Sequence, residues 1–122
     1  MKNNVLLLTA LLILMSISVS AQRAVLSDAE SVQAAVVSEI NGVLSSPGFL
    51  KQKNKKFPDV KGTVTVDVGV YRNGKVSSFF KVDSDIKNID FLNFMSDYIL
   101  GHKFNFKLPK QQKYKVRYTA KI

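Results

Sequence analysis

The run from Thr63 to Tyr71 (TVTVDVGVY) alternates without a break, with Val64, Val66, Val68 and Val70 on one side and Thr65, Asp67, Gly69 and Tyr71 on the other. Period-two alternation is the mark of a strand with one buried face and one wet face. The chain must therefore build a sheet that is apolar on one side and supply something to cover it. Asn73-Gly74 follows at once and predicts a hairpin, whose register depends on loop length. A two-residue loop would pair Val66 with Lys81 and bury a lysine. A three-residue loop of Arg72, Asn73 and Gly74 pairs Val70 with Val76, Val68 with Ser78, Val66 with Phe80 and Val64 with Val82, and is preferred, with Gly74 in the left-handed region as a bulge. In this register the outer face carries Phe79 opposite Asp67 and beside Gly69.

Two helices are expected, the second packed on the valine face and the first in need of a surface to cover its own stripe, on this sheet or on another chain. Ser27-Asp28-Ala29-Glu30 has the form of a capping box. After it, Val32, Ala35, Val36, Ile40, Val43 and Leu44 make one apolar stripe that ends at Ser45-Ser46-Pro47-Gly48. Phe49 to Lys61 reads as a basic connector, extended at Phe57-Pro58 because proline disfavours an α conformation in the residue before it. Asn88 or Asp90 caps a second helix, with Phe91, Phe94, Met95, Tyr98 and Ile99 on one face and Gly101 placed to stop it in a left-handed conformation. Lys113 to Lys121 alternates again, Tyr114, Val116, Tyr118 and Ala120 inward and Lys113, Lys115, Arg117, Thr119 and Lys121 outward. The predicted fold is α+β: an N-terminal helix, then a β-hairpin, a helix and a β-strand forming a three-stranded antiparallel sheet packed on helix.

The first residues have a different character. Met1-Lys2 is a basic start, Val5 to Val19 an uncharged apolar run, and Val19-Ser20-Ala21 ends it with small residues, the pattern of a signal peptide cleaved after Ala21. An apolar run of this length is short for a membrane span. The expected organisation is residues 1–21 signal peptide, 22–48 N-terminal helix and 49–122 the remaining domain, with the mature chain outside the cytoplasm.

Charge is unevenly spread in a chain of net charge +9. Lys51, Lys53, Lys55, Lys56 and Lys61 stand against Asp59 alone, and residues 101–122 hold Lys103, Lys107, Lys110, Lys113, Lys115, Arg117 and Lys121 with no acid. In an exported chain such blocks meet anionic lipid, acidic glycan or acidic protein rather than nucleic acid. Solubility through net charge explains them as well.

Catalytic chemistry has little to work with. The 122 residues contain no Cys and one His, His102, placed just past a helix end. No Ser-His-acid set forms without it, and a lone His makes no metal constellation. Asp83-x-Asp85 fails as an EF-hand, with Asn88 where Gly is required and Phe94 where Glu is required. Those aspartates are expected to end a strand and favour the next helix's positive end, and Glu39 stands isolated on its helix. No cofactor, no metal and no enzyme activity are expected.

The order hairpin, helix, strand, with FPDVKGTVTVDVGVYRNGKVSSFFKV and KFNFKLPKQQKYKVRYTAKI as they stand, resembles the C-terminal domain of TonB-type energy transducers over about Phe49 to Ile122. The aromatic-proline step, the N-G-K-V turn, Asp90 at the helix opening and the aromatic-x-Phe-x-Pro element carry the likeness. The chain differs from a full transducer in its cleavable leader and in having no proline-rich spacer, which puts force transmission from an inner-membrane motor in doubt. The resemblance implies a non-catalytic periplasmic module whose last strand pairs with an extended segment of an envelope protein, such as an outer-membrane transporter. Carried over, it points to Lys113, Tyr114, Lys115, Val116, Arg117 and Tyr118, with Phe57 and Pro58 nearby; Phe79, which the hairpin register alone places on the outer face, is either a further contact or an incidental surface aromatic.

An edge strand offers unpaired backbone groups that an incoming peptide can use, and the outward cations would favour an acidic one. Lysines on an edge also serve to prevent pairing. Proline at Val116 is expected to remove a ladder donor needed for it. The alternative is a cationic domain that holds anionic lipid or glycan.

Overall fold

The structure is a computed structural model and describes residues 23–110 and 112–122. The expected signal peptide and its cleavage site lie outside the described residues. The protein is α+β. The elements in chain order are β1 (Ala24–Val25), α1 (Ala29–Leu44), α2 (Pro47–Lys56), β2 (Thr63–Val70), β3 (Val76–Ser84), α3 (Ile89–Leu100), β4 (Phe106–Lys107) and β5 (Tyr114–Lys121). Strands β3, β2 and β5 form an antiparallel sheet in that order, and β1 pairs with β4 in a short parallel ladder. Among the described residues no helix is long and apolar enough to cross a membrane.

The valine face of β2 is buried completely, and α1 and α3 cover it side by side, α1 over β5 and α3 over β3. Val32, Val36 and Ile40 of α1, Phe91, Met95 and Ile99 of α3, and Val116, Tyr118 and Ala120 of β5 close on it as one core. The N-terminal helix α1 and the elements from α2 to β5 thus share a core. Each of these larger side chains contributes roughly 1.5–3 kcal/mol by leaving water, and no buried polar side chain is left without a partner among the described residues.

Several local details differ from the sequence reading. Asp28, not Ser27, caps α1, its carboxylate accepting the Ser31 amide at 2.9 Å. The basic connector is largely a helix: Ser46 caps α2, its hydroxyl accepting the Phe49 amide at 3.3 Å, and Pro47 opens it with a pre-set φ and no amide to orphan. Phe57 ends α2 with φ −135° and ψ 55°, outside the α region as its proline neighbour requires. Asn88 caps α3 through the Phe91 amide. Gly101 closes α3 in right-handed geometry, φ −79° and ψ −8°.

The hairpin turn is as expected at its tip and shifted beyond it. Val70 faces Val76, and Gly74 has φ +88°. Ser77 is then an extra residue, so Ser78 meets Gly69, Phe79 meets Val68, Phe80 meets Asp67 and Lys81 meets Val66. Phe79 therefore faces α3, and Phe80, 61% exposed, is the aromatic on the outer face. The bulge forms where glycine permits it, since a Cβ on Gly69 would lie 2.4 Å from both the Ser77 and Ser78 hydroxyls. The pairing of Val66 with Lys81 that argued against this register is tolerated because β3 is an edge. Lys81 is exposed there and keeps its ammonium in water. Val82 is a second extra residue opposite the Thr65/Val66 step.

The segment between α3 and β5 folds back on the turn. The Phe104 amide donates to Gly74 and the Leu108 amide to Arg72, at 2.8 and 2.9 Å. Arg23, the residue before β1, reaches the same place, donating to the carbonyls of Asn73 and Phe104. The aspartates after β3 also work locally: Asp85 accepts the Thr63 amide at 2.7 Å, and Asp83 accepts the Ser84 amide.

Candidate functional site

Strand β5 lies at the end of the sheet, with β2 on one side of it. Gly62 and Ile122 exchange both of their backbone hydrogen bonds, Gly62 to Ile122 at 3.2 Å and the return at 2.8 Å. The β2–β5 register runs on from this pair without a shift. In an antiparallel ladder, hydrogen-bonded and non-hydrogen-bonded pairs alternate. Ala120, Tyr118, Val116 and Tyr114 therefore bond to β2, and the amides and carbonyls of Lys121, Thr119, Arg117 and Lys115 point away from it to the open edge. The Val116 amide is a β2 ladder donor, so proline at Val116 breaks the sheet rather than the edge; Thr119 is the position whose amide faces outward.

Side chains follow the same alternation. Val116, Tyr118 and Ala120 are buried under α1, and Tyr118 donates its phenolic proton to Asn41 Oδ1. Burial pushes the Tyr118 phenol above its ordinary pKa. On the outer face Arg117 clamps Asp67 through Nε at 3.0 Å and Nη2 at 3.3 Å, and Thr65 and Thr119 share a hydroxyl hydrogen bond at 3.0 Å. The hydrogen bond from Arg117 holds the Asp67 carboxyl below the usual range, and Asp67 in turn raises Arg117. Lys113 sits 5.8 Å from the centre of the Tyr71 ring. Tyr114 reaches the Ser27 carbonyl at 2.9 Å.

The site residues read from the sequence are thus divided. Lys113 to Tyr118 form or adjoin the free edge, but Arg117 is engaged by Asp67. Phe57 packs on Phe91 and Phe94 of α3, with ring centres 5.5 and 5.4 Å away. Pro58 follows it in the turn after α2. Phe79 lies in the groove between β3 and α3. Neither Phe57, Pro58 nor Phe79 lines the space beside β5.

That space is a groove of about 410 Å³ between the last residues of β5, the end of α1 and the first turns of α2. Leu44, Phe49, Leu50 and Ile122 supply its apolar walls, and Lys53 and Lys121 stand at it. Its α2 wall is absent from the sequence reading, although Ser46-Pro47 followed by helix-favouring lysines and Gln52 was a readable start signal.

Glu39 is not isolated. It accepts the His102 Nε2 contact at 2.9 Å and the Asn105 amide at 3.0 and 3.1 Å, so the pair fixes the chain leaving α3. Among the described residues no group of three or more His, Asp or Glu side chains is placed to hold a metal ion. A second cavity, about 520 Å³, opens at the hairpin turn between Arg23, Tyr71, Arg72, Asn73 and Lys107. Arg23 joins it from a position far off in sequence, which no local pattern signals.

No protein-family model, curated protein or solved structure matches the chain.

Proposed function

We propose that this protein is an exported, non-catalytic interaction module resembling the TonB C-terminal domain, and that it works in the periplasm by adding an extended segment of an envelope protein to the free edge of β5. The observation that carries the reading is the row of outward backbone groups at Lys115, Arg117, Thr119 and Lys121, which have β2 behind them and, among the described residues, no further strand in front. Such a row supplies affinity through main-chain hydrogen bonds whatever the partner's sequence. Export rests on the apolar leader ending at Ala21.

The test is site-specific photo-crosslinking in cells that express the full chain, with the crosslinker at Lys115 on one edge and at Val82 on the other. A discrete envelope protein captured from Lys115, not from Val82, and lost in the Thr119→Pro variant supports the reading. Capture from Val82 alone, or capture from Lys115 that Thr119→Pro leaves intact, overturns it.

A second reading, attachment to anionic lipid or glycan, draws on the cavity bounded by Arg23, Arg72 and Lys107, where three cations meet with no acid in the lining. Binding to vesicles containing anionic lipid that vanishes as salt rises, and that Arg72→Glu removes, would favour it.

A further inference from the structure

The two basic blocks of the sequence, separate along the chain, come together in the fold. Helix α2 carries Lys51, Lys53, Lys55 and Lys56 and no acid; β5 carries Lys115, Arg117 and Lys121 and no acid. Both border the groove that runs beside the open edge, and no Asp or Glu lines it. Arg117 is already neutralised by Asp67, whereas Lys53, Lys115 and Lys121 have no ion-pair partner among the described residues.

The floor between these cations is apolar. Leu50 is 41% exposed on an otherwise lysine-rich helix. Leu44 and Ile122 are only partly covered, and Ala120, the smallest inward side chain of β5, leaves the space that they surround open.

A strand added to β5 would lie about 4.8 Å from it and send alternate side chains to opposite faces. Those on the helix side would enter the groove against Leu44, Leu50 and Ile122. Those on the outer side would stand next to Lys115 and Lys121. The two faces therefore ask for opposite chemistry in alternate residues.

We infer that the groove between α2 and β5 selects the partner: an extended segment of another protein with apolar side chains at its inward positions and acidic ones at its outward positions, with Leu50 of α2 and Lys121 of β5 as selectivity determinants. This inference rests on the strand-pairing reading and adds to it the wall from α2 and the pattern of the ligand.

The experiment titrates the full chain, followed by amide and methyl NMR, with blocked peptides of about seven residues, a length typical of a strand. One alternates Val with Glu, one Ser with Glu, one Val with Lys, and one is the Val/Glu peptide N-methylated on alternate amides. The expected result is saturation by the Val/Glu peptide at least about tenfold tighter than by the Ser/Glu or Val/Lys peptides. The shifts should centre on Thr119, Lys121 and the Leu50 methyls. Leu50→Glu, at an exposed position of α2, and Lys121→Glu, at an exposed position of β5, should each weaken the Val/Glu peptide by about tenfold while leaving the amide spectrum dispersed.

Two failures are distinguishable. If the Val/Glu peptide binds in a way that N-methylation and Thr119→Pro abolish but Leu50→Glu and Lys121→Glu do not change, strand pairing stands and the selecting groove falls. If binding ignores N-methylation and Thr119→Pro, while the Thr119→Val control behaves as the parent, the strand-pairing reading itself falls. Absence of binding by every peptide up to about 1 mM, or a concentration-dependent dimer by sedimentation that Leu50→Glu dissociates, overturns the inferred occupant, the latter in favour of a second copy of this chain.

Discussion

Tyr118 of β5 donates its hydroxyl proton to Asn41 of α1, the side-chain hydrogen bond that ties the edge strand to the helix lying over it. Asn41 is otherwise exposed, so its loss of a partner can be made good by water. Tyr118→Phe is expected to cost about 1 kcal/mol, the usual net worth of a hydrogen bond, with the ring packing retained. Urea unfolding gives the number.

The same residue predicts an alkaline weakness. Burial raises the folded pKa of Tyr118, so the phenol keeps its proton after the unfolded chain has released it. Its contribution is complete below the unfolded value of about 10 and is lost as pH rises from there through the folded value. Stability of the parent should fall more steeply above about pH 10 than that of Tyr118→Phe. Parallel slopes would show that Tyr118 titrates normally.

Gly74 is required by its surroundings rather than by the hairpin alone. Its φ is +88°, and a Cβ there would meet the carbonyls of Phe104 and Phe106, each at 2.7 Å. Backbone carbonyls cannot rotate aside as a serine hydroxyl can. Gly74→Ala should cost on the order of 2–4 kcal/mol, combining left-handed strain with displacement of the segment packed on the turn. Gly42→Ala is the control: a Cβ at that site meets nothing, and in a helix interior the change should stabilise by about 0.5–1 kcal/mol.

Strong periodicities were readable: the valines of β2, the stripe of α1, the aromatic face of α3 and the alternation of β5 all fall where their spacing put them. What escaped were events decided by contact between distant residues. Ser77 became an extra residue because Gly69, across the ladder, has no side chain to keep it away. Helix α2 escaped because a lysine-rich segment buries almost nothing of its own. What holds it is one residue, Phe49, stacked on Phe94 and edge-to-face with Tyr98, ring centres 5.2 Å away in each case. The free edge was legible as an alternating last strand, but which of its amides face outward depends on the Gly62–Ile122 pair, and no local pattern records that.

Phe49 therefore offers a direct test of what holds α2. It is 1% exposed, and Phe49→Ala should cost about 3–5 kcal/mol for the lost ring and the cavity behind it. Ser46→Ala, which removes the cap and the hydroxyl's own hydrogen bond to the Val43 carbonyl, should cost about 1–2 kcal/mol. Hydrogen exchange should show the α2 amides opening first in both variants, with the β2 amides protected until global unfolding.

Acid should act through carboxylates held below their ordinary range. Asp67 is lowered first by its hydrogen bond from Arg117, and Asp28 by the Ser31 amide it caps. A carboxyl whose folded pKa is depressed contributes stability above its unfolded value, near 4, and loses it as pH falls through the folded value. The melting temperature should decline below about pH 4, and Asp67→Asn should flatten that decline while lowering stability at neutral pH. An unchanged acid slope in Asp67→Asn would mean that solvent screening leaves the exposed clamp without effect.

The two faces of β5 make the last prediction specific to backbone direction. Val116→Pro removes an amide bonded to β2 and places a ring inside the ladder, whereas Thr119→Pro removes an amide that faces the open edge. The first should cost about 3 kcal/mol or more, in line with proline inside a hydrogen-bonded element. The second should cost about 1 kcal/mol, mainly the lost hydroxyl contact with Thr65. Thermal unfolding of the two variants beside Thr119→Val separates the hydroxyl from the amide. Equal destabilisation by the two prolines would mean that both amides are structural and that β5 has no free edge to offer.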